Sequence, residues 1–99
     1  MMSQERRLAA IMFTDMVGYT ALTQRNESQT LQLLERHNRI VRPFFAKYRG
    51  IEVKTIGDSF LVEFGSALDA VRCAVEVQSA LHEYNASNPD EWKILLRVG

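Results

Sequence analysis

Two aspartates stand where the apolar pattern of this sequence breaks. Asp15 closes the run at residues 8–14 (LAAIMFT), and Asp58 follows Gly57 between two alternating runs, residues 51–56 and 59–64. Brought together, two such carboxylates repel and raise one pKa. A divalent cation between them removes that cost, and magnesium in particular is held by one or two carboxylates plus water and substrate phosphates. Gly18, just after Asp15, permits close backbone approach. A short helix beginning near Tyr19 would aim its free N–H groups at the same place, a ready site for phosphate, and the Thr20 hydroxyl adds a donor. Metal carboxylates beside a phosphate cradle suggest nucleotide chemistry. Taken singly, each aspartate is also ordinary turn or cap chemistry. Geometry alone leaves both readings open.

Whether the carboxylates meet depends on the elements that carry them. Residues 8–14 read as a short strand, apolar on both faces and so expected at the centre of a sheet. A short helix near residues 19–24 and a long one over 27–48 follow. In the long one Leu31, Leu34, Asn38, Val41, Phe45 and Tyr48 recur at spacings of three and four. Asn26 with Gln29 makes a capping box, Pro43 is expected to kink the helix or end its bonding early, and Arg49-Gly50 supplies the stop. Residues 51–56 and 59–64 form a hairpin about Gly57-Asp58. Ser66 with Asp69 caps a further helix with a stripe of Ala67, Ala70, Val71, Ala74, Val75, Gln78, Leu81 and Tyr84. After the break at residues 85–89, Trp92, Ile94, Leu96 and Val98 alternate in a final strand. The order is βαββαβ, the α+β ferredoxin-like arrangement, with a four-stranded antiparallel sheet and helices on one face. There the first and third strands are antiparallel neighbours, which would bring Asp15 and Asp58 to one sheet end although they lie 43 positions apart.

Ninety-nine residues make one domain, taken as 1–99. A hydrophobic fraction of 46% and a charged fraction of 24% are ordinary for a globular chain. A net charge of zero argues against nucleic-acid binding by bulk electrostatics. The one cysteine, Cys73, excludes an internal disulfide and reads as a small buried hydrophobe beside the second helical stripe. His37 and His82 lack partners at metal-ligand spacing and read as surface or boundary residues, Met12 and Phe13 as core. Glu52 and Glu63 fit either a place near the site or charged outward strand faces. The longest apolar run, residues 8–13, is too short for a membrane span or a signal segment, so a soluble cytoplasmic chain is expected.

Phe13-Thr14-Asp15-Met16-Val17-Gly18-Tyr19-Thr20 (FTDMVGYT) closely resembles the first metal motif of class III nucleotide cyclases, and Lys54-Thr55-Ile56-Gly57-Asp58-Ser59-Phe60 (KTIGDSF) resembles their second. The resemblance runs from about Arg7 to the end of the sequence. It implies that Asp15 and Asp58, with the Met16 carbonyl, hold two Mg2+ or Mn2+ ions. Val17, Gly18, Tyr19 and Thr20 would bind the triphosphate of ATP. Lys54 matches the purine-selecting lysine of adenylate cyclases, where guanylate cyclases carry glutamate. An ammonium can donate to adenine N1, whereas a carboxylate would accept from guanine; without the resemblance, an exposed edge-strand lysine explains Lys54 as well. The reaction implied is conversion of ATP to 3′,5′-cyclic AMP and pyrophosphate.

Class III catalytic domains are about twice this long and work as head-to-tail dimers. The resemblance therefore implies the N-terminal part of such a domain, with the transition-state asparagine and arginine and the second purine contact lying outside it. Asn85, Asn88 and Arg97 are not assigned to those roles. Alone, the chain is expected to be weakly active or inactive. The rival reading is a non-catalytic cyclase-like module that binds nucleotide or a partner. A diguanylate cyclase fits less well, because the hairpin carries one glycine and one acid where that family has GG[DE]EF.

Overall fold

A computed structural model describes residues 9–99. Its elements are β1 (Ala10–Met16), α1 (Tyr19–Arg25), α2 (Glu27–Lys47), β2 (Ile51–Ile56), β3 (Ser59–Phe64), α3 (Ala67–Ala86), a 3-10 turn at Asp90–Trp92, and β4 (Leu96–Val98). The strands form one antiparallel sheet in the order β2-β3-β1-β4. The architecture is the expected ferredoxin-like α+β fold, with β1 and β3 as central antiparallel neighbours.

Period-two alternation decides which face of the sheet is covered. Met12, Thr14 and Met16 of β1 and Phe60, Val62 and Phe64 of β3 are buried. They pack with Leu33, Val41 and Phe45 of α2 and with Cys73, Val77 and Leu81 of α3. Each fully buried side chain of this size contributes roughly 1.5–3 kcal/mol. The other face of β1 is open: Ile11 is 53% and Phe13 44% exposed. Strand β1 is central, as expected, but Phe13 is not core, because helices cover one face alone. Leu8, expected to begin this strand, lies outside the described residues, and the strand runs on through Asp15 to Met16.

Both helical stripes are rotated from their expected positions. On α2 the buried residues are Thr30, Leu33, His37, Val41 and Phe45, while Leu31 is exposed. His37 is therefore not a surface residue; it fills one rung of a ladder spaced by four. On α3 Cys73, Val77 and Leu81 point inward and Leu68, Val71 and Val75 outward. Cys73 sits at the centre of the buried face, and burial pushes its thiol up to about 11, which keeps it neutral. The caps stand as expected, with Asn26 accepting from the Gln29 amide and Ser66 from that of Asp69.

Helix α2 continues past Pro43 to Lys47; the missing N–H removes one bond without ending the helix. At its exit Arg49 takes the left-handed conformation (φ 59°) rather than Gly50. Gly50 is fixed by space instead: a Cβ there would lie 2.8 Å from side-chain atoms of Phe64 and Val62. Strand β4 is shorter than its alternating pattern, because residues 90–92 form the 3-10 turn and the Asn85 side chain bonds both the N–H and the carbonyl of Ile94.

Candidate active site

The β1–β3 pairing brings the end of β1 against the hairpin turn that carries Asp58. The contact is direct: Asp58 Oδ2 accepts the Met16 backbone N–H at 2.7 Å. Asp58 is thereby placed next to Asp15 along β1. Asp15 lies inside the strand rather than after it, paired in register with Arg97 of β4. The Arg97 Nε donates to Asp15 Oδ1 at 3.0 Å. Met16 turns its side chain into the core, so its backbone alone can serve the site.

These residues line an open cleft of about 320 Å3, together with Gly18, Tyr19, Thr20, Ala21 and Ser59. Gly18 sits just before α1 with φ 78°, a conformation that disfavours a side chain. The first intrahelical bond of α1 runs from the Leu22 amide to the Gly18 carbonyl, so the amides of Tyr19, Thr20 and Ala21 have no acceptor within the helix. The Tyr19 ring leans on the hairpin, where a Cβ on Gly57 would stand 3.9 Å away. Val17 differs from its expected place. It does not line this cleft, and its amide is committed to the Leu95 carbonyl at 2.8 Å.

Lys54 is exposed on edge strand β2 and does not line the cleft either. A bulge at Val53 resets the alternation, pairing Lys54 with Leu61, which in turn pairs with Phe13. Lys54, Leu61 and Phe13 thus form a row across the open face of the sheet, the face on which Asp15 also stands by alternation from Phe13. Glu52 lies before the bulge and reaches Arg42 of α2 at 3.3 Å. Glu63 lines a groove with Arg49 and Ser66 at the far end of β3. Neither glutamate is part of the aspartate cleft.

Behind the site, His37 stacks on Phe60 with ring centroids 5.6 Å apart, and Phe45 meets the same ring edge-on at 5.2 Å. The His37 Nδ1 is 2.8 Å from Asn38 Oδ1, while Nε2 and the Thr14 hydroxyl are buried with no partner among the described residues. Burial lowers the His37 pKa; the Asn38 bond and the nearby Asp58 charge oppose that shift in part, and Arg42 adds to it.

Sequence reasoning left Arg97 unassigned and misplaced His37. Both signals were present. Arg97 faces Asp15 once β4 is laid antiparallel to β1, and His37 lies four residues from both Leu33 and Val41.

The model of the adenylate and guanylate cyclase catalytic domain matches residues 1–99. The chain belongs to that family. It is 44% identical to "Putative adenylate cyclase 3" of Rhizobium meliloti (strain 1021) over 98% of its own length and 17% of that protein's. Among solved structures, the adenylate/guanylate cyclase/hydrolase of Silicibacter pomeroyi is 34% identical, with a TM-score of 0.80, over 95% of this cyclase chain and 56% of that one. The dimeric guanylyl cyclase domain of the RhoGC fusion protein from the fungus Blastocladiella emersonii is 18% identical and shares the fold, with a TM-score of 0.75 over 98% of this chain and 58% of the other. The chain thus spans between half and two-thirds of these solved cyclase chains. No helix among the described residues is long and apolar enough to cross a membrane.

Proposed function

We propose that this cyclase chain binds ATP as a metal complex and forms the metal- and phosphate-binding part of an adenylate cyclase site, which yields 3′,5′-cyclic AMP and pyrophosphate. The observation that carries the reading is the meeting of Asp15 and Asp58 at one sheet end, on a face that also bears Lys54. The donor set suits a hard cation. It offers two carboxylates and the Met16 carbonyl, all of them oxygen donors. Asp15, Met16 and Asp58 would hold two Mg2+ or Mn2+ ions. The chemistry such ions supply when bound is acidification of the ribose 3′-hydroxyl and neutralisation of the leaving pyrophosphate.

The remaining roles fall to the chain's own groups. Tyr19, Thr20 and Ala21 line the cleft, and their helix-free amides and the Thr20 hydroxyl can donate to phosphate oxygens. Arg97 brings a guanidinium to the cleft wall. Lys54 lies two strands from Phe13 and Asp15 two residues farther along β1, a separation of about 12 Å from sheet spacings of ~4.8 Å and ~3.3 Å per residue. That span suits a base at one end and phosphates at the other, with Phe13 and Leu61 as an apolar floor.

The exposed Ile11 and Phe13 on the open face support a second copy, head-to-tail, as the element that covers the substrate. ATP as substrate and a single buried thiol favour a cytoplasmic setting. The test is titration of the chain with ATP in Mn2+, with Asp58→Asn as control and circular dichroism to check both folds. Asp58-dependent binding supports the reading, and cyclic AMP formation would establish it. Binding by this chain with no turnover even after the remainder of the catalytic domain is restored would favour the non-catalytic nucleotide-binding module. A well-folded chain that binds no ATP would overturn both.

A further inference from the structure

Arg97 already occupies the acidic end of the cleft. The pairing with Asp15 is built into the sheet, because the two residues are cross-strand partners and Arg97 Nε lies 3.0 Å from Asp15 Oδ1. The Asp15 side chain is 23% exposed and that of Arg97 71%, so the carboxylate is set in the wall and the guanidinium reaches over it from solvent. Asp58 is committed through one oxygen to the Met16 amide. Among the described residues, the charged side chains on the cleft wall are thus two carboxylates and one guanidinium.

We propose that Arg97 competes with a divalent cation for Asp15, and that a bound triphosphate relieves the competition, so that metal and nucleotide bind with positive coupling. This rests on the metal-nucleotide reading above and concerns how its two ligands assist each other. A guanidinium on Asp15 Oδ1 blocks that oxygen and places a like charge beside an incoming cation. Its planar fork matches phosphate as well as carboxylate. Phosphate oxygens in the cleft therefore offer Arg97 charge-assisted hydrogen bonds in exchange for those it leaves. Asp15 is then free for metal. The coupling must be reciprocal: the factor by which nucleotide tightens metal is the factor by which metal tightens nucleotide. Because Arg97 is largely exposed, the effect is small, about two- to five-fold, as an exposed ion pair allows.

The experiment measures free Mn2+ by its electron paramagnetic resonance signal as the nucleotide-free chain is titrated. The variants are Arg97→Gln, Arg97→Lys, Asp15→Asn and the Asp15→Asn/Arg97→Gln double substitution. Arg97→Gln is expected to bind Mn2+ about two- to five-fold tighter than wild type, Arg97→Lys to stay near wild type because it keeps the charge, and the double variant to lose the gain. The ratio of the fluorescent mant-ATP dissociation constant in EDTA to that in Mn2+ should be about two- to five-fold smaller in Arg97→Gln than in wild type. Unchanged or weaker Mn2+ binding by Arg97→Gln, with Asp15-dependent binding intact in wild type, would overturn the competition alone. If neither wild type nor Arg97→Gln shows Asp15-dependent Mn2+ binding, the metal reading fails and the competition with it.

Discussion

The Asp58 carboxylate accepts the Met16 backbone N–H at 2.7 Å, so the hairpin turn is fastened to the end of β1 by one of the groups proposed to hold metal. Structure and function can be separated there by the choice of substitution. Asn at position 58 keeps an oxygen acceptor for the Met16 amide but loses the charge; Ala loses both. Asp58→Asn should therefore retain most of the wild-type thermal stability and lose Mn2+-dependent ATP binding. Asp58→Ala should lose binding and also about 1–3 kcal/mol of stability, the range for leaving a partly buried donor unpaired. Thermal melts and ATP titrations on the two variants check this. Equal stability losses in both would mean that charge, not hydrogen bonding, holds the turn.

His37 makes folding sensitive to acid. Burial lowers its folded pKa below the ordinary value of 6.5, only partly offset by Asn38 and Asp58. The unfolded chain therefore binds the proton first as pH falls. Stability from the neutral ring is full above the unfolded pKa and is lost as pH drops from about 6.5 toward the lowered folded value. Urea unfolding between pH 7.5 and 5.5 should show this decline in wild type and a shallower one in His37→Leu. An identical slope in the two proteins would assign the acid sensitivity to carboxylates instead.

Much of the frame behind these two sites was legible in the sequence, and the losses have physical causes. Element order, both caps and the hairpin follow from local signals in Asn26, Ser66 and Gly57-Asp58, which need no tertiary context. The Asp15–Asp58 meeting follows from topology alone. What failed was the direction of side chains. Phe13 reads as core in the sequence, because an apolar run says nothing about whether a second layer covers the sheet. His37 reads as a surface or boundary residue by its polarity, although it lies on the Leu33–Val41–Phe45 face. The bulge at Val53, which sets the face of Lys54, leaves no sequence mark, and neither does the bond from the Val17 amide to the Leu95 carbonyl just before β4.

Gly50 tests packing rather than chemistry. A methyl group there would meet Phe64 and Val62 side chains at 2.8 Å, and both are buried. Gly50→Ala should therefore destabilise by about 1–3 kcal/mol, the usual cost of overpacking. Gly65→Ala, with nothing within 4 Å of its Cβ, should change stability much less. Denaturant midpoints of the two variants decide the matter. Similar losses would point to backbone freedom, not space, as the reason for Gly50.

Lys54 separates specificity from fold. Its side chain stands exposed on edge strand β2, with no ion pair among the described residues and only the Leu61 pairing to place it. Lys54→Glu should accordingly leave stability within about 0.5 kcal/mol of wild type. Selectivity should move, because an ammonium donates to adenine N1 while a carboxylate accepts from the guanine N1–H and 2-amino group. One hydrogen bond to a charged group, worth roughly 1.5–3 kcal/mol, sets the scale, so the ATP-to-GTP affinity ratio in Mn2+ should fall by about ten-fold or more. Competition of ATP and GTP against mant-ATP measures that ratio directly. An unchanged ratio in a well-folded variant would remove Lys54 from base recognition and leave it as a charge that guards an exposed sheet edge.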